Sequence, residues 1–555
     1  MTKKKLFAAG LFGLLFASVA YSSVSLRNGN FFVGYVDIVY PGGFDPKIER
    51  IYNSKTPFNG MFGWGWGFEY EAHLTALPDG SVVIHEYGGG AENRFRPKAG
   101  NQQDLVRAVD QIAGAAQKAG VVGNASQLAK YKKQLTDDSE FRYREWVRFR
   151  LPQKQFPAGT QLISNRFSYQ YLTRVADGYV RTYDSGKVEK FRDPDGKLVK
   201  VSDRNNNSIT LSYTSEGKLE KLVDNFNRKI FFYFNGQGKI VKIAGENGKE
   251  ATYEYNKNGE LVKSKDTSGN TYTYGYSTDN RHNLVSIGNS NGTSMTMTYY
   301  PRDKNENIKS VKDTDGTLTE YGFETDTADK NKKIVNVKIK GADGKPISSS
   351  HYEYFMRRKA DGEEWTYKLV SVLDGDRTET VYNECCGMPI EIKKDGETTA
   401  FSYDIKGRVT KKITPEDITE LKYNDSVGKV ARVSKYPKKN PKKFQWSQFE
   451  YDNKGNLLLA KNSEGKGVKL FYDPNGRIKT LVDQNKRQIQ FKYNENSKPV
   501  QITDPALGSI NVTYNNSGEI KEVQSPAGRK IAMQVTSAFQ NLLDIIRPAG
   551  VTLSF

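Results

Sequence analysis

The sequence predicts an all-β protein. Tandem β-hairpin repeats form a large spiral curved sheet or partial shell, with a small N-terminal β domain and a helical-hairpin insertion. Three observations carry this. Tyrosines recur at intervals of about 21 residues through much of the chain, and Asp or Asn followed by Gly punctuates the same intervals. Aromatic residues make up 12% of the chain, which excludes disorder. The 37% hydrophobic content is low for one compact core and suits a sheet wetted over much of its surface.

The first residues predict export. Lys3, Lys4 and Lys5 precede an uncharged apolar run from Leu6 to Val19, and Ser18-Val19-Ala20 offers small residues for cleavage after Ala20. The run is shorter than the roughly 20 residues a spanning helix needs. Neither a twin arginine nor a cysteine just after the run marks another export route or a lipid anchor. The mature protein is therefore expected in the periplasm, at the cell surface or outside the cell, with no spanning helix. The net charge is +19, or +16 without the three leader lysines. Such a charge draws a protein to anionic envelope material; the alternative is that it only keeps a large β protein soluble. The two cysteines, Cys385 and Cys386, are neighbours. No long-range disulfide framework is possible, and a vicinal disulfide locking a turn is the one available pairing.

Residues 21–97 are expected to form the N-terminal β domain. Phe31–Tyr40 and Ile48–Ser54 suit strands, Phe62-Gly63-Trp64-Gly65-Trp66-Gly67-Phe68 is an aromatic ladder, and His73–His85 suits a hairpin turning at Pro78-Asp79-Gly80. Across 98–140 the period becomes helical, with Leu105, Val109, Ile112 and Ala116 on one face and a second short helix from Leu128 to Leu135. Residues 141–180 are expected to be a basic strand segment joining the repeats. There Phe141, Tyr143, Val147, Phe149 and Leu151 alternate with Arg142, Arg144, Arg148 and Arg150.

Repeats follow in one block over 181–324, an irregular stretch with an insertion over 325–381, and a second block over 382–555. Tyrosines end the expected strands at Tyr213, Tyr233, Tyr255, Tyr276, Tyr299 and Tyr321, then from Tyr382 to Tyr514 at spacings of 21, 20, 28, 21, 21 and 21. The unit is clear at Tyr255 and Gly259, Tyr403 and Gly407, Tyr472 and Gly476, and Tyr514 and Gly518. Asp or Asn after the tyrosine can accept from backbone two residues on, and glycine takes the positive-φ position that closes the loop. One hairpin cannot bury its face alone, whereas stacked neighbours can. The 28-residue interval carries an extra basic loop, Lys438-Lys439-Asn440-Pro441-Lys442-Lys443.

Over about 180–530 these units resemble the bacterial RHS/YD-repeat proteins, whose animal relatives are the teneurins. Arg50-Ile51-Tyr52-Asn53-Ser54, Gly60 and Phe62-Gly63-Trp64-Gly65-Trp66 resemble the domain that precedes RHS repeats. The resemblance implies a sheet spiralling into a hollow shell, often around a C-terminal toxin. Residues after Tyr514 lack the aspartate-containing segment at which toxin-bearing members cleave themselves, so neither self-cleavage nor a toxin is carried over. About 13 repeats leave a partial shell or open spiral as an expectation.

No catalytic residues, metal site or cofactor are expected. With four histidines, a triad has little support, and a site at His73 and His85 would need a third ligand such as Glu69 or Glu71. Anion or glycan binding is assigned to Arg142, Arg144, Arg148 and Arg150, to Lys438, Lys439, Lys442 and Lys443, and to Trp64 and Trp66; the competing reading of each is a solvated face or ordinary packing. Nucleic acid is a weak expectation despite Tyr436, Phe444 and Trp446 beside the lysines. Val551, Leu553 and Phe555 alternate as barrel strands do, yet the repeat strands are too short and polar for a lipid-facing wall. The leading expectation is an exported, non-enzymatic shell. The alternatives are a cargo-less component of a toxin or effector system with a separate chain as cargo, and a glycan-active enzyme.

Overall fold

The computed structural model describes residues 21–40, 46–86, 90–97, 102–164, 169–279, 281–302, 305–359, 363–495, 497–506, 508–514 and 520–524, with Ser537 and Ile545. The expected leader, Gly518 and the run from Val551 to Phe555 lie outside the described residues.

Four strands, Tyr21–Ser25, Asn30–Val39, Lys47–Asn53 and Trp66–Phe68, form the N-terminal sheet in that order. From His73–Ala76 to Ile520–Gln524 a single antiparallel sheet of 36 strands follows chain order. Closure comes early in the sheet. His73 bridges Lys197, and the Leu74 N–H donates to the Gly196 carbonyl at 2.8 Å. A Cβ on Gly196 would stand 2.0 Å from the Leu74 oxygen, so this position admits only glycine. Later hairpins then ride back over earlier ones. Asn205 and Asn456 exchange amide bonds at 3.0 and 2.8 Å, Lys406 pairs with Asp184 at 3.0 Å, and Arg204 donates to the Val427 carbonyl. The expectation of an open spiral is thereby narrowed to a sheet that closes on itself.

Each hairpin repeats one set of bonds. Asp473 Oδ1 accepts from the backbone N–H of Asn475 and Arg477 at 3.0 Å each, and Gly476 sits at φ +79°. Asp404 does the same for Lys406 and Arg408 around Gly407, and Asn256 for Asn258 and Glu260 around Gly259. The tyrosine pairs with the residue two after glycine, as in Tyr472↔Ile478 and Tyr403↔Val409, with a bulge just before it. Repeated bulges bend the sheet the same way each time. The structure departs from the tyrosine pattern at position 233: Phe234 pairs with Ile240, and Tyr233 is exposed, so the chain places phenylalanine at the repeat position there.

The helical insertion is longer than expected and replaces the basic strand. Helices α1 (Gln102–Lys118), α2 (Ala125–Asp137) and α3 (Ser139–Arg148) pack on Leu77 and Val83 of the first hairpin. Asp138 caps α3, its carboxylate accepting from Glu140 N and Phe141 N at 3.0 and 2.9 Å. Ser139, Arg142, Glu145 and Trp146 are buried, a helical period. The alternation seen in the sequence fails at Glu145-Trp146, and the buried stripe of α3 follows the other period.

Candidate functional site

The N-terminal sheet shares the apolar core of the first repeat block, and among the bonds that join the two is a buried polar cluster. Arg50 Nε donates to Asp37 Oδ2 at 2.7 Å, and its Nη2 reaches Ser264 Oγ at 2.7 Å and Tyr274 OH at 2.9 Å. Tyr253 OH donates to the same Asp37 oxygen at 2.8 Å. The guanidinium lies over the rings of Tyr35 and Trp66 at 4.7 and 4.8 Å. Burial works against the Arg50 charge, but Asp37, Tyr274 and Tyr253 together outweigh it and hold the guanidinium well above its ordinary value. Trp66 Nε1 donates to Tyr276 OH at 2.9 Å, and Phe62 meets Tyr253 edge-on at 5.0 Å.

Two apolar cores line the inner face. The first runs from Phe31 to Ile308, and the second from Leu421 to Val512 with Ile545, whose carbonyl accepts from Ser447 Oγ at 2.7 Å. Between them the same face continues beyond Phe323, which packs against the first core. Register places Phe323 beside Val335, Val335 beside Tyr352, and Tyr352 beside Ser371. A neighbouring row runs Tyr354, Leu369, Thr380, Ile392 and Thr399. Tyr352, Tyr354, Leu369, Ile392 and Phe401 are only half-buried.

The four arginines do not form a face. Arg142 is buried, its Nε 3.0 Å from Asp79 and its Nη1 on the Leu135 carbonyl. Arg148 pairs with Glu145 at 3.2 Å, Arg144 is exposed, and Arg150 lies past the end of α3. A helix distributes the side chains that a strand would have aligned, so the four arginines do not share one surface. Trp66 is 0% exposed and cannot stack on a sugar. Trp64 lies flat on His282 at 4.2 Å and donates to the Asn258 carbonyl at 3.2 Å, which covers one ring face. Lys438, Lys439, Lys442 and Lys443 are exposed. Cys385 and Cys386 are disulfide-bonded in a turn where Asn383 Oδ1 accepts from Cys386 N and Met388 N at 3.3 and 3.0 Å.

His73 and His85 are opposite one another, with a stacked separation of 4.4 Å. His85 contacts Glu92 at 3.3 Å and Tyr143 OH at 3.2 Å. Burial, then the charge of His85, lowers His73 to about 4. Among the described residues no three His, Cys, Asp or Glu side chains cluster as metal ligands, and no helix is long and apolar enough to cross a membrane. Arg50 opens the Arg50–Ser54 motif, and nothing in the local sequence signals its burial.

These features define a class: a closed, curved sheet of tandem tyrosine hairpins wrapped around its own N-terminal β domain, a structural scaffold. Family models agree along the chain. A domain of unknown function (DUF6531) matches residues 21–95, the RHS Repeat matches 255–294, and the Teneurin YD-shell matches 432–554. The three matches together support an RHS/YD-repeat protein. No curated protein matches it in sequence. Among solved structures, a mutant Tc holotoxin pore from Photorhabdus luminescens aligns over 88% of this chain and 27% of its own, with 11% identity and a TM-score of 0.42. A TcdB2-TccC3-TEV crystal structure aligns over 92% of this chain and 29% of its own, with 11% identity and a TM-score of 0.41. The chain thus spans less than a third of either structure. A porin-like protein from Bacteroides uniformis covers 43% of this chain and 90% of its own, with 12% identity and a TM-score of 0.13.

Proposed function

We propose that the protein is an exported, non-enzymatic scaffold that holds polypeptide within its curve and anionic envelope polymer or glycan at its rim. The enclosed N-terminal domain carries this reading. Arg50 and Asp37, both fully buried, bond to each other and to Tyr274 and Tyr253, and so join the two layers. A buried ion pair bonded across two layers is a device for specifying one arrangement. At the rim, the surplus of positive charge supports binding to anionic polymer. The test is retention of the mature chain on immobilised lipopolysaccharide and acidic glycans, with the same glycans assayed for cleavage. Retention that falls between low and physiological salt, without cleavage, is expected. Turnover of any glycan would replace this reading with an enzymatic one.

A second reading, a component of a toxin or effector system that receives a separate chain, is favoured by the half-buried inner stretch from Phe323 to Phe401. A photo-cross-linker at Leu369 should then give adducts with one defined second polypeptide. The same group at Lys368, on the opposite face of that strand, should not. Equal labelling from both positions would sink this reading.

A further inference from the structure

The basic loop at 438–443 sits at the tip of the hairpin formed by strands Lys429–Pro437 and Gln445–Tyr451. Its first strand pairs with Asp417–Asn424 as far as Asp417↔Pro437, so the loop begins where the neighbouring strand ends. It is an ordered structure. Lys438 N donates to the Glu416 carbonyl at 2.7 Å, Asn440 N to the Pro437 carbonyl at 3.1 Å, and Lys443 N to the Asn440 carbonyl at 3.0 Å. Lys438, Lys439, Lys442 and Lys443 are exposed, and among the described residues none has a carboxylate within ion-pair distance. The nearby acids are otherwise engaged: Asp417 with Lys435 at 2.8 Å, Glu416 with Thr414 Oγ1 at 3.3 Å, and Glu464 with Gln445 at 3.4 Å.

Aromatic residues flank the lysines. Tyr436 and Phe444 stack at 5.6 Å and 18°, Phe444 is 43% exposed, and Arg432 covers a face of Trp446 at 5.2 Å. We infer that this loop docks the protein onto an anionic lipid surface, with the lysines on headgroup phosphates and Phe444 at the interfacial boundary. Four flexible point charges suit a diffuse layer of phosphate better than a shaped ligand, and none of the four is an arginine able to grip a phosphate with two parallel bonds. Nucleic acid fits less well. Nucleic acid is held by successive bases on several separate rings in a groove, whereas here Tyr436 and Phe444 stack on each other and Arg432 lies on Trp446. An exposed aromatic beside basic residues is instead the composition that lies in a lipid interface.

This inference deepens the anion-binding reading and rests on it. The mature chain is mixed with vesicles of phosphatidylglycerol and phosphatidylcholine, with pure phosphatidylcholine vesicles, and with soluble dextran sulfate. Each lysine near an anionic leaflet is worth about fivefold in partition. The combined K438Q, K439Q, K442Q and K443Q variant should therefore lose about six-hundredfold in binding to the anionic vesicles. Phe444→Ser should weaken vesicle binding several-fold and leave dextran sulfate binding unchanged. If wild type and the quadruple variant bind anionic vesicles alike, the inference is overturned. It is also overturned if the lysines matter for dextran sulfate and Phe444 for neither, and in that case polymer binding survives alone. Binding to neither probe removes both.

Discussion

The Tyr472 hydroxyl donates to the Leu457 carbonyl at 2.9 Å, joining one hairpin to the start of the hairpin before it. The same bond, with the acceptor fourteen or fifteen residues back, is made by Tyr213, Tyr255, Tyr299, Tyr403, Tyr423, Tyr493 and Tyr514. The repeat tyrosine therefore acts between repeats as well as within one. Tyr472→Phe should lower stability by about 1 kcal/mol through the lost hydrogen bond. Tyr472→Ala should cost about 3 kcal/mol, because the packed ring is lost as well. Denaturant unfolding of both variants measures the difference; equal losses would mean that the hydroxyl contributes nothing.

Gly476 and Gly465 separate backbone strain from contact. Both sit near φ +80°, but a Cβ at Gly476 would stand 2.4 Å from Asn205 across the seam, whereas Gly465 has nothing within 4 Å. Gly465→Ala should cost about 1 kcal/mol from conformation alone. Gly476→Ala should cost clearly more and should speed hydrogen exchange around Asn205. Matching losses at the two sites would show that the seam yields freely.

Removing Arg50 should be more costly than removing the pair. Arg50→Met leaves Asp37 buried without its cation, for a loss of about 3–5 kcal/mol. Adding Asp37→Asn should recover much of it, since the uncompensated charge is gone. Thermal unfolding of the single and double variants reads this, and an additive double variant would contradict it.

Acid should loosen the closure of the sheet. His73 has a folded value of about 4, below its ordinary 6.5, so the fold favours the neutral ring. Its stabilisation is full above the unfolded value and falls away as pH drops from about 6.5 towards 4. The half-buried position limits this to roughly 2 kcal/mol. His73→Gln should remove that part of the pH dependence. Melting curves for the two proteins that stay parallel between pH 7 and 4.5 would refute it.

Export has a direct measurement. Cleavage after Ala20 gives a mature protein beginning at Tyr21, which intact mass after expression in a Gram-negative host reports. Retention of Met1 would remove the export reading, and with it the oxidising setting in which a Cys385–Cys386 bond persists.

The hairpin code was legible in the sequence because its bonds are local. Asp473 reaches its own turn, Gly476 supplies its own positive φ, and Tyr472 meets Ile478 six residues on, all within one repeat. Tyr233 marks the limit of that reading: the motif locates the repeat, but register decides that Phe234 faces inward. The segment 141–151 carried both periods, and choosing between them required Asp79, which lies 63 residues before its partner Arg142. Likewise, Trp66 could have been a ligand platform until Tyr35, Tyr52 and Tyr274 closed around it. The amino-acid sequence by itself determined the repeating strand, turn and bulge, since steric and hydrogen-bonding preferences act over a few residues. Only the tertiary structure decided where the spiral closes and what it covers. Twist and curvature summed over successive strands bring His73 to Lys197 and Asn205 to Asn456, and no single repeat encodes that sum.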